Sequence, residues 1–314
     1  MKFVLKKAAS LIATLAVVSV LVFLSFEFIP GDPATSLLGT QATTEKVEAL
    51  REEMGLNRPV AVRYLEWSVG LLKGDMGTSY SYHIPVKEMV GDKVPITAAL
   101  TLLSFCFTIL IALPLGIYSA KHAGGKFDAA IGFVNQIMMA VPPFFAGILL
   151  TFLFGLVLHM FTPGGFISYD VNVGAFFAYL IFPAIAIALP KSAMTAKLLR
   201  SSILEQAGMD YARTAYSRGN STSSVLWNHL LKNAMIPVIT FLGMALADMI
   251  AGSIIIEQVF GIPGLGRILL TSIANRDYPV VSAIIMILAI AVNLINTVVD
   301  VVYHMIDPRI KQNG

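Results

Sequence analysis

Long apolar stretches without charged residues alternate with short polar segments along most of the chain. A bilayer core of about 30 Å requires about 20 apolar residues, and stretches of that length are predicted to be helices because lipid offers the backbone no hydrogen-bond partners. Six membrane spans are predicted, at about Ala8–Ile29, Ile96–Ala120, Ala129–Leu158, Val173–Leu189, Ala234–Ile256 and Val280–Val302. Prolines inside these spans predict kinks, at Pro114, Pro142, Pro143 and Pro183.

The composition supports an integral membrane protein. Hydrophobic residues make up 56% of the 314 residues and charged residues only 13%, whereas a soluble domain carries about 25% charged residues. These values exclude a disordered chain, a disulfide scaffold and a typical nucleic-acid-binding protein. The single cysteine, Cys106, excludes an internal disulfide. Its apolar surroundings predict a buried, inert thiol.

The distribution of lysine and arginine predicts that both termini are cytoplasmic. The predicted inner segments hold most of these residues, whereas the two short outer loops hold only Arg267 and Arg276. The first apolar stretch lacks a small-residue cleavage site, which favours a retained helix over a secretory signal. The predicted division is residues 1–29 (N-terminus and first span), 30–95 (the outer segment) and 96–311 (the core, with a cytoplasmic inner segment at 191–234).

Two polar segments are predicted to be ordered. The outer segment has helical spacing over Thr44–Met54, with Gly55 at the C-cap. A second amphipathic helix around Trp67 is predicted to end at Lys73-Gly74-Asp75. The inner segment is predicted to form two short helices separated by a tight turn at Gly219. The pattern alone fits either a solvated connection or a docking site for a cytoplasmic partner.

Familiar catalytic and metal-binding motifs do not occur in the sequence. It contains no phosphate-binding G-x-x-x-x-G-K-[ST] loop and no H-E-x-x-H, and the five histidines lack metal-ligand spacing. The glycines of Gly261–Gly266 are predicted to form an outer turn. The sequence therefore predicts no catalytic residue, metal site or cofactor, and favours a transport protein over a membrane enzyme.

Five polar residues inside the spans are candidates for a translocation path: Asp248, Asn135, Gln136, Asn293 and Asn296. A charge at the bilayer centre costs about 2.5–3.5 kcal/mol on insertion scales. Asp248 is therefore predicted to face other helices or water. The four amides fit either a polar path or hydrogen bonding between helices, which contributes about 0.6 kcal/mol per bond.

Six short motifs, which follow one another along nearly the whole chain, are similar to those of a known family. They are Ile29-Pro-Gly-Asp-Pro33, Met54-Gly-Leu-Asn-Arg-Pro59, Gly74-Asp-Met-Gly-Thr-Ser79, Glu257-Gln-Val-Phe-Gly-Ile-Pro-Gly-Leu-Gly-Arg267, Arg276-Asp-Tyr-Pro279 and Asp307-Pro-Arg-Ile310. This series resembles the dipeptide/oligopeptide/nickel permeases of ABC importers. The type resembled is the first permease subunit of a peptide importer.

The resemblance implies an all-α integral membrane protein with the type I ABC importer permease fold, six transmembrane helices and cytoplasmic termini. It implies a non-catalytic subunit in a bacterial or archaeal plasma membrane. The implied partners are a homologous second permease, two ATPase subunits that bind ATP and Mg, and an extracytoplasmic solute-binding protein. Dipeptides or oligopeptides are the implied substrates. A nickel or metal-chelate permease is the alternative, and a secondary transporter or channel is a more distant one.

The resemblance also implies an ATPase-docking segment, the EAA loop of the family. Its spacing falls on Arg213-Thr214-Ala215 and Gly219, with Arg213 in place of the glutamate and Thr214 in place of the first alanine. The implied docking residues are Asp210, Tyr211, Arg213, Thr214, Ala215, Arg218 and Gly219.

Overall fold

A computed structural model describes residues 2–28 and 31–306. The tail motif Asp307–Ile310 and the first two residues of Ile29–Pro33 lie outside these ranges. The helices are α1 (Lys2–Phe28), α2 (Pro33–Leu38), α3 (Thr44–Glu53), α4 (Val60–Leu72), α5 (Val86–Gly91), α6 (Val94–Lys121), α7 (Lys126–Ala140), α8 (Pro143–Leu150), α9 (Val173–Ala207), α10 (Asp210–Ser217), α11 (Thr222–Val225), α12 (Leu231–Phe260), α13 (Leu265–Ala274) and α14 (Tyr278–Ile306). A 3₁₀ turn covers Gly39–Gln41, and π-helical turns cover Thr151–Val157 and Leu226–Leu230.

Within the described residues, five helical stretches are long and apolar enough to cross a membrane. A sixth crossing is added if α7 and the stretch Pro143–Val157 count as one span. The predicted all-helical membrane fold is confirmed, but the third predicted span is not a single helix. Its two halves are bent by 101°. Val141 is extended before Pro142, as a residue preceding proline prefers, and Pro143 begins the next helix.

The fourth predicted span, Val173–Leu189, forms only the first part of a longer helix. Helix α9 continues through Pro190 to Ala207, and its 35 residues extend roughly 50 Å at 1.5 Å each. On the far side, Thr222–Phe260 form one continuous helical stretch. Most of the predicted inner segment therefore extends the two longest helices, and only residues 208–221, here called the connector, link them.

The contacts divide the chain into two units, of which the first comprises residues 1–97 and 263–293. In this unit α1 packs against α4 through Phe23, whose ring centroid is 5.4 Å from that of Tyr64. The Tyr64 hydroxyl lies 3.0 Å from Ser19 Oγ. Helices α3 and α4 confirm the two predicted helices of the outer segment, and Gly55 has the positive φ of a C-terminal cap (+68°).

A buried carboxylate joins two motifs of this unit that lie far apart in sequence. Asp277 Oδ1 accepts a hydrogen bond of 3.0 Å from Tyr80 N, and Oδ2 accepts one of 3.2 Å from Ser81 N. The Ser79 hydroxyl also donates to Asp277. Both Ser79 and Asp277 are buried. Burial raises the pKa of Tyr80 against a smaller lowering by Arg63, so this phenol remains protonated at neutral pH.

The second unit comprises residues 98–262 and 294–314, and α9 is its central helix. Helices α7, α8 and α12 pack against α9. Helix α6 also approaches closely, because a Cβ at Gly116 would lie 2.9 Å from the carbonyl oxygen of Ala196. At one end of the unit, the Tyr179 hydroxyl donates a 2.5 Å hydrogen bond to the Phe260 carbonyl, which ties α9 to α12.

The expectation that Cys106 is buried is wrong. Its side chain is exposed, on the same face of α6 as Leu102 and Leu110, which are also exposed. The opposite face of α6 carries the buried hydroxyl residues Thr97, Thr101, Ser104 and Thr108 at helical spacing. This stripe was a usable signal that the face with Cys106 turns outward.

Candidate functional site

The connector contains a short helix with two chemically different faces. The inner face of α10 consists of Ala212 and Ala215, which are 0% and 5% exposed. These alanines belong to an apolar cluster built mainly from the ends of α9 and α12 and the turns before α12: Leu199, Ile203, Val225, Leu226, Leu230, Ala234, Val238 and Leu242. Helix α10 is therefore packed onto the ends of the two longest helices.

The outer face of α10 is exposed and carries most of the predicted docking residues. Tyr211, Arg213, Thr214 and Arg218 are exposed, as is Asp210 at the first position of the helix. Within the connector, Arg213 Nη1 lies 3.8 Å from Asp210 Oδ1. The Tyr211 hydroxyl donates a 2.8 Å hydrogen bond to Gln206 Oε1 at the end of α9. Local contacts thus hold this polar face while leaving it open to solvent.

Burial distinguishes two neighbouring positions of α10. Ala215, predicted as a docking contact, is buried in the apolar cluster. Tyr216, which the sequence analysis did not select, is 39% exposed. Its position next to Ala215 could have indicated this, because adjacent helical residues point about 100° apart.

Gly219 ends this helix as predicted. It adopts φ +83°, and its N–H donates to the Tyr216 carbonyl over 2.9 Å. The Asn220 side chain donates a 3.0 Å hydrogen bond to the Ala215 carbonyl, which satisfies a second helix-end acceptor. A Cβ at Gly219 would meet nothing within 4 Å. The conformation, and not crowding, therefore favours glycine here.

Asp248 forms an ion pair that the sequence analysis did not find. Its Oδ2 atom accepts a 2.8 Å hydrogen bond from Lys191 Nζ. The Asp248 side chain is 65% exposed and that of Lys191 is 24% exposed. Lys191 was missed because it was assigned to the cytoplasmic inner segment, although the need of Asp248 for a partner at the same depth was a usable signal.

Asn135 and Gln136 line a separate cavity of about 240 Å³, whose lining does not include Asp248. Across this cavity Asp128 accepts two hydrogen bonds of 2.6 Å from the Arg200 guanidinium, a bidentate ion pair between α7 and α9. Asn135 is 5% exposed, and its Oδ1 atom has no hydrogen-bond donor. Neither Asp128 nor Arg200 was among the residues predicted from the sequence, because their pairing depends on the packing of α7 against α9.

The two asparagines of α14 are placed differently again. Asn293 Nδ2 donates a 2.8 Å hydrogen bond to the Ala289 carbonyl one turn earlier in the same helix. Asn296 is exposed. Of the five predicted path residues, only Asn135 and Gln136 therefore line a common cavity in this structure.

Comparison with known proteins identifies the family. Residues 112–312 match the family described as "binding-protein-dependent transport system inner membrane component". Residues 1–101 match the N-terminal component of the same kind of membrane protein. The chain belongs to this permease family.

Several relatives match this permease over almost its whole length. It is 34% identical to the probable peptide ABC transporter permease y4tP of Sinorhizobium fredii, over 98% of this chain and 99% of the relative. It is 34% identical to the oligopeptide transport system permease AppB of Bacillus subtilis, with the same coverage. It is also 34% identical to the glutathione transport system permease GsiC of Salmonella choleraesuis, over 99% of both chains.

A solved structure supports the fold of the permease. A chain of the inward-facing MetNI methionine ABC transporter superposes with a TM-score of 0.55 and 18% identity, covering 68% of this permease and 94% of that chain. Together with the family match, this confirms the fold of an ABC importer permease. Among residues 2–28 and 31–306, no three His, Cys, Asp or Glu side chains are grouped to hold a metal ion.

Proposed function

We propose that this permease is the membrane subunit of an ATP-driven importer of dipeptides or oligopeptides in a bacterial plasma membrane. A homologous second permease completes the translocation path. Two ATPase subunits bind ATP and Mg on the cytoplasmic side, and a solute-binding protein delivers the peptide from outside. The names of the relatives, which include peptide, oligopeptide and glutathione permeases, support this substrate class.

The two-faced helix α10 is the observation that carries the proposal. Its alanines are buried against α9 and α12, while its charged and aromatic side chains are exposed. A helix that only returned the chain would gain nothing from an exposed Tyr211 and Tyr216, and aromatic residues and arginine are enriched at protein interfaces. We assign the outer face to the ATPase.

This placement also gives a route for coupling. When the ATPase subunits close on ATP, α10 moves with them because its outer face is bound. The buried contacts of Ala212 and Ala215 then transmit this movement to the ends of α9 and α12. The binding of ATP shifts the permease between inward- and outward-facing states only as far as its affinity differs between them.

The coupling role is tested by reversing charges on the outer face. Arg213→Glu combined with Arg218→Glu should leave the amount of permease in the membrane unchanged, because both side chains are exposed. The ATPase subunits should no longer co-purify, and ATP hydrolysis stimulated by the loaded binding protein should fall by about tenfold or more. Lys73→Glu, an exposed reversal in the outer segment, is the control. An assembled, substrate-stimulated complex of the double variant would refute the docking role.

The orientation is tested by labelling introduced cysteines from each side of the membrane. Tyr82 and Ser221 are exposed, so Tyr82→Cys should label from outside and Ser221→Cys from the cytoplasm. Ser79 is unsuitable because it is buried against Asp277. Cys106 is first replaced by alanine because it is exposed. Labelling of both positions from one side would contradict the topology.

A further inference from the structure

The Lys191–Asp248 ion pair lies near the middle of the two long helices α9 and α12 of the second unit. Helices α9 and α12 pack against each other, and the Tyr179–Phe260 hydrogen bond fixes their register at one end. Lys191 comes twelve residues after Tyr179, and Asp248 comes twelve residues before Phe260. The two helices are therefore antiparallel, and the pair lies about 18 Å along them from that contact, at 1.5 Å per residue.

The pair also faces outward from its own unit. Ala245, Ala247 and Met249 are buried around Asp248, yet the Asp248 side chain is 65% exposed. Intramembrane charged residues face the bundle interior or a water-filled cavity, because hydrocarbon does not solvate them. The face of α12 that carries Asp248 must therefore border either the aqueous path or another protein subunit.

We propose that Lys191 and Asp248 form a binding site in the translocation path for the two charged ends of the peptide, a step that rests on the proposed function. The Lys191 ammonium binds the α-carboxylate of the peptide, and the Asp248 carboxylate binds its α-ammonium. The two groups offer opposite charges side by side, as a zwitterionic substrate requires.

The same geometry explains how the site remains stable without substrate and releases it. In the structure the two side chains neutralise each other over 2.8 Å, so no isolated charge faces the path. An arriving peptide exchanges this one ion pair for two new ones, and its departure restores the original pair. Conduction requires binding that is favourable enough for entry and weak enough for exit, and such an exchange is close to balanced.

The site is tested in proteoliposomes that contain the whole importer with its binding protein. Uptake is measured for alanylalanine, its C-terminal amide and its N-acetyl derivative. Each rate is measured per assembled importer, and the ratios between compounds are then compared between variants, so that the preference of the binding protein cancels. Lys191→Met should lower uptake of alanylalanine by about tenfold, with the amide unaffected, since about tenfold corresponds to one lost charge-assisted hydrogen bond. Asp248→Asn should lower alanylalanine uptake similarly, with the N-acetyl derivative unaffected.

Either single substitution leaves one charged side chain without its partner and could prevent the importer from assembling. A double variant avoids this problem. Lys191→Met with Asp248→Asn leaves no charge at this depth and should assemble with normal ATPase stimulation by the loaded binding protein. Compared with the parent, its uptake of alanylalanine relative to the amide and to the N-acetyl derivative should be lower. An unchanged pattern, or an equal loss for all three compounds in the single variants, would overturn the site; the equal loss would assign the pair to an interface with the second permease.

The same measurements separate the two proposals. A parent importer whose ATP hydrolysis responds to the loaded binding protein, but which takes up neither the three compounds nor longer peptides, would contradict the peptide substrate class itself. A parent importer that transports alanylalanine, with variants that keep its relative rates, would contradict only the assignment of Lys191 and Asp248.

Discussion

The outer segment and the connector both lie outside the long apolar helices, but different interactions hold them. Polar contacts with distant residues fix the outer segment, including those of Asp277 with Tyr80 and Ser81. Apolar burial of Ala212 and Ala215 holds the connector. The outer segment therefore uses many of its polar groups internally, whereas the connector leaves its polar face to solvent.

Charged residues that look alike in the sequence therefore have different roles: many of those in the outer segment stabilise the fold, and those of the connector are free to bind a partner. Asp32 caps α2 through Thr35 N over 3.0 Å and also binds Arg51 over 3.2 Å, so it is committed to the fold. Asp210 is fully exposed and is available to a partner. Substitutions in the two regions should therefore fail in different ways, by loss of stability in the first and loss of coupling in the second.

The largest effect is expected at Asp277. Asp277→Ala leaves the buried Ser79 hydroxyl and the N–H groups of Tyr80 and Ser81 without their acceptor, and each unsatisfied group costs about 1–3 kcal/mol. The free energy of unfolding should fall by about 3 kcal/mol or more for the three groups together, measured as a lower Tm of the purified permease. Asp210→Ala is the matched control in the connector and should leave Tm unchanged. Equal Tm values for the two variants would remove the contrast between the regions.

A second large effect should distinguish two neighbouring residues of α10. Ala215→Arg forces a long charged side chain into the apolar cluster, where burying an unpaired ion costs several kcal/mol, so the amount of folded permease should fall. Thr214→Arg places the same side chain on the exposed face and should leave that amount unchanged while weakening ATPase co-purification. Equal membrane levels for the two variants would contradict the inward orientation of Ala215.

A moderate effect is expected at Gly219. Gly219→Ala requires a left-handed conformation at φ +83°, which costs an L-residue about 1–2 kcal/mol. Gly252→Ala is the control, because Gly252 is helical with nothing within 4 Å of an added Cβ, and alanine there should be neutral or stabilising by up to about 1 kcal/mol. Both are measured as shifts in Tm. A stabilising Gly219→Ala would contradict the backbone conformation.

The smallest effect is expected on the acidic side of the outer segment. Glu45, Glu52 and Glu53 are exposed, and a single exposed charge pair contributes about 0–1 kcal/mol. Single reversals to lysine should therefore change little. The triple reversal should weaken the affinity of the binding protein, most clearly at low salt, with Tm unchanged. An unaltered affinity at low salt would show that this side is only a solvated surface.

The elements that the sequence determined are those whose cause is local. The apolar stretches predicted the long helices because membrane insertion depends on the hydrophobicity of about 20 consecutive residues. Helix α3 was also predicted from the sequence, because its apolar residues have helical spacing. The positive φ of Gly219 was predicted because glycine has no Cβ. The prolines also located the break of the third span, although only the structure gave its angle of 101°.

The tertiary structure decided which groups meet and which way they face. Lys191 and Asp248 are 57 residues apart, and Ser79 and Asp277 are 198 apart. Each pairing depends on how distant segments of the chain align, which no local pattern encodes. The inward orientation of Ala215 was hidden for the same reason. A small or apolar residue fits either face of a helix, and only the neighbours that pack against it select one.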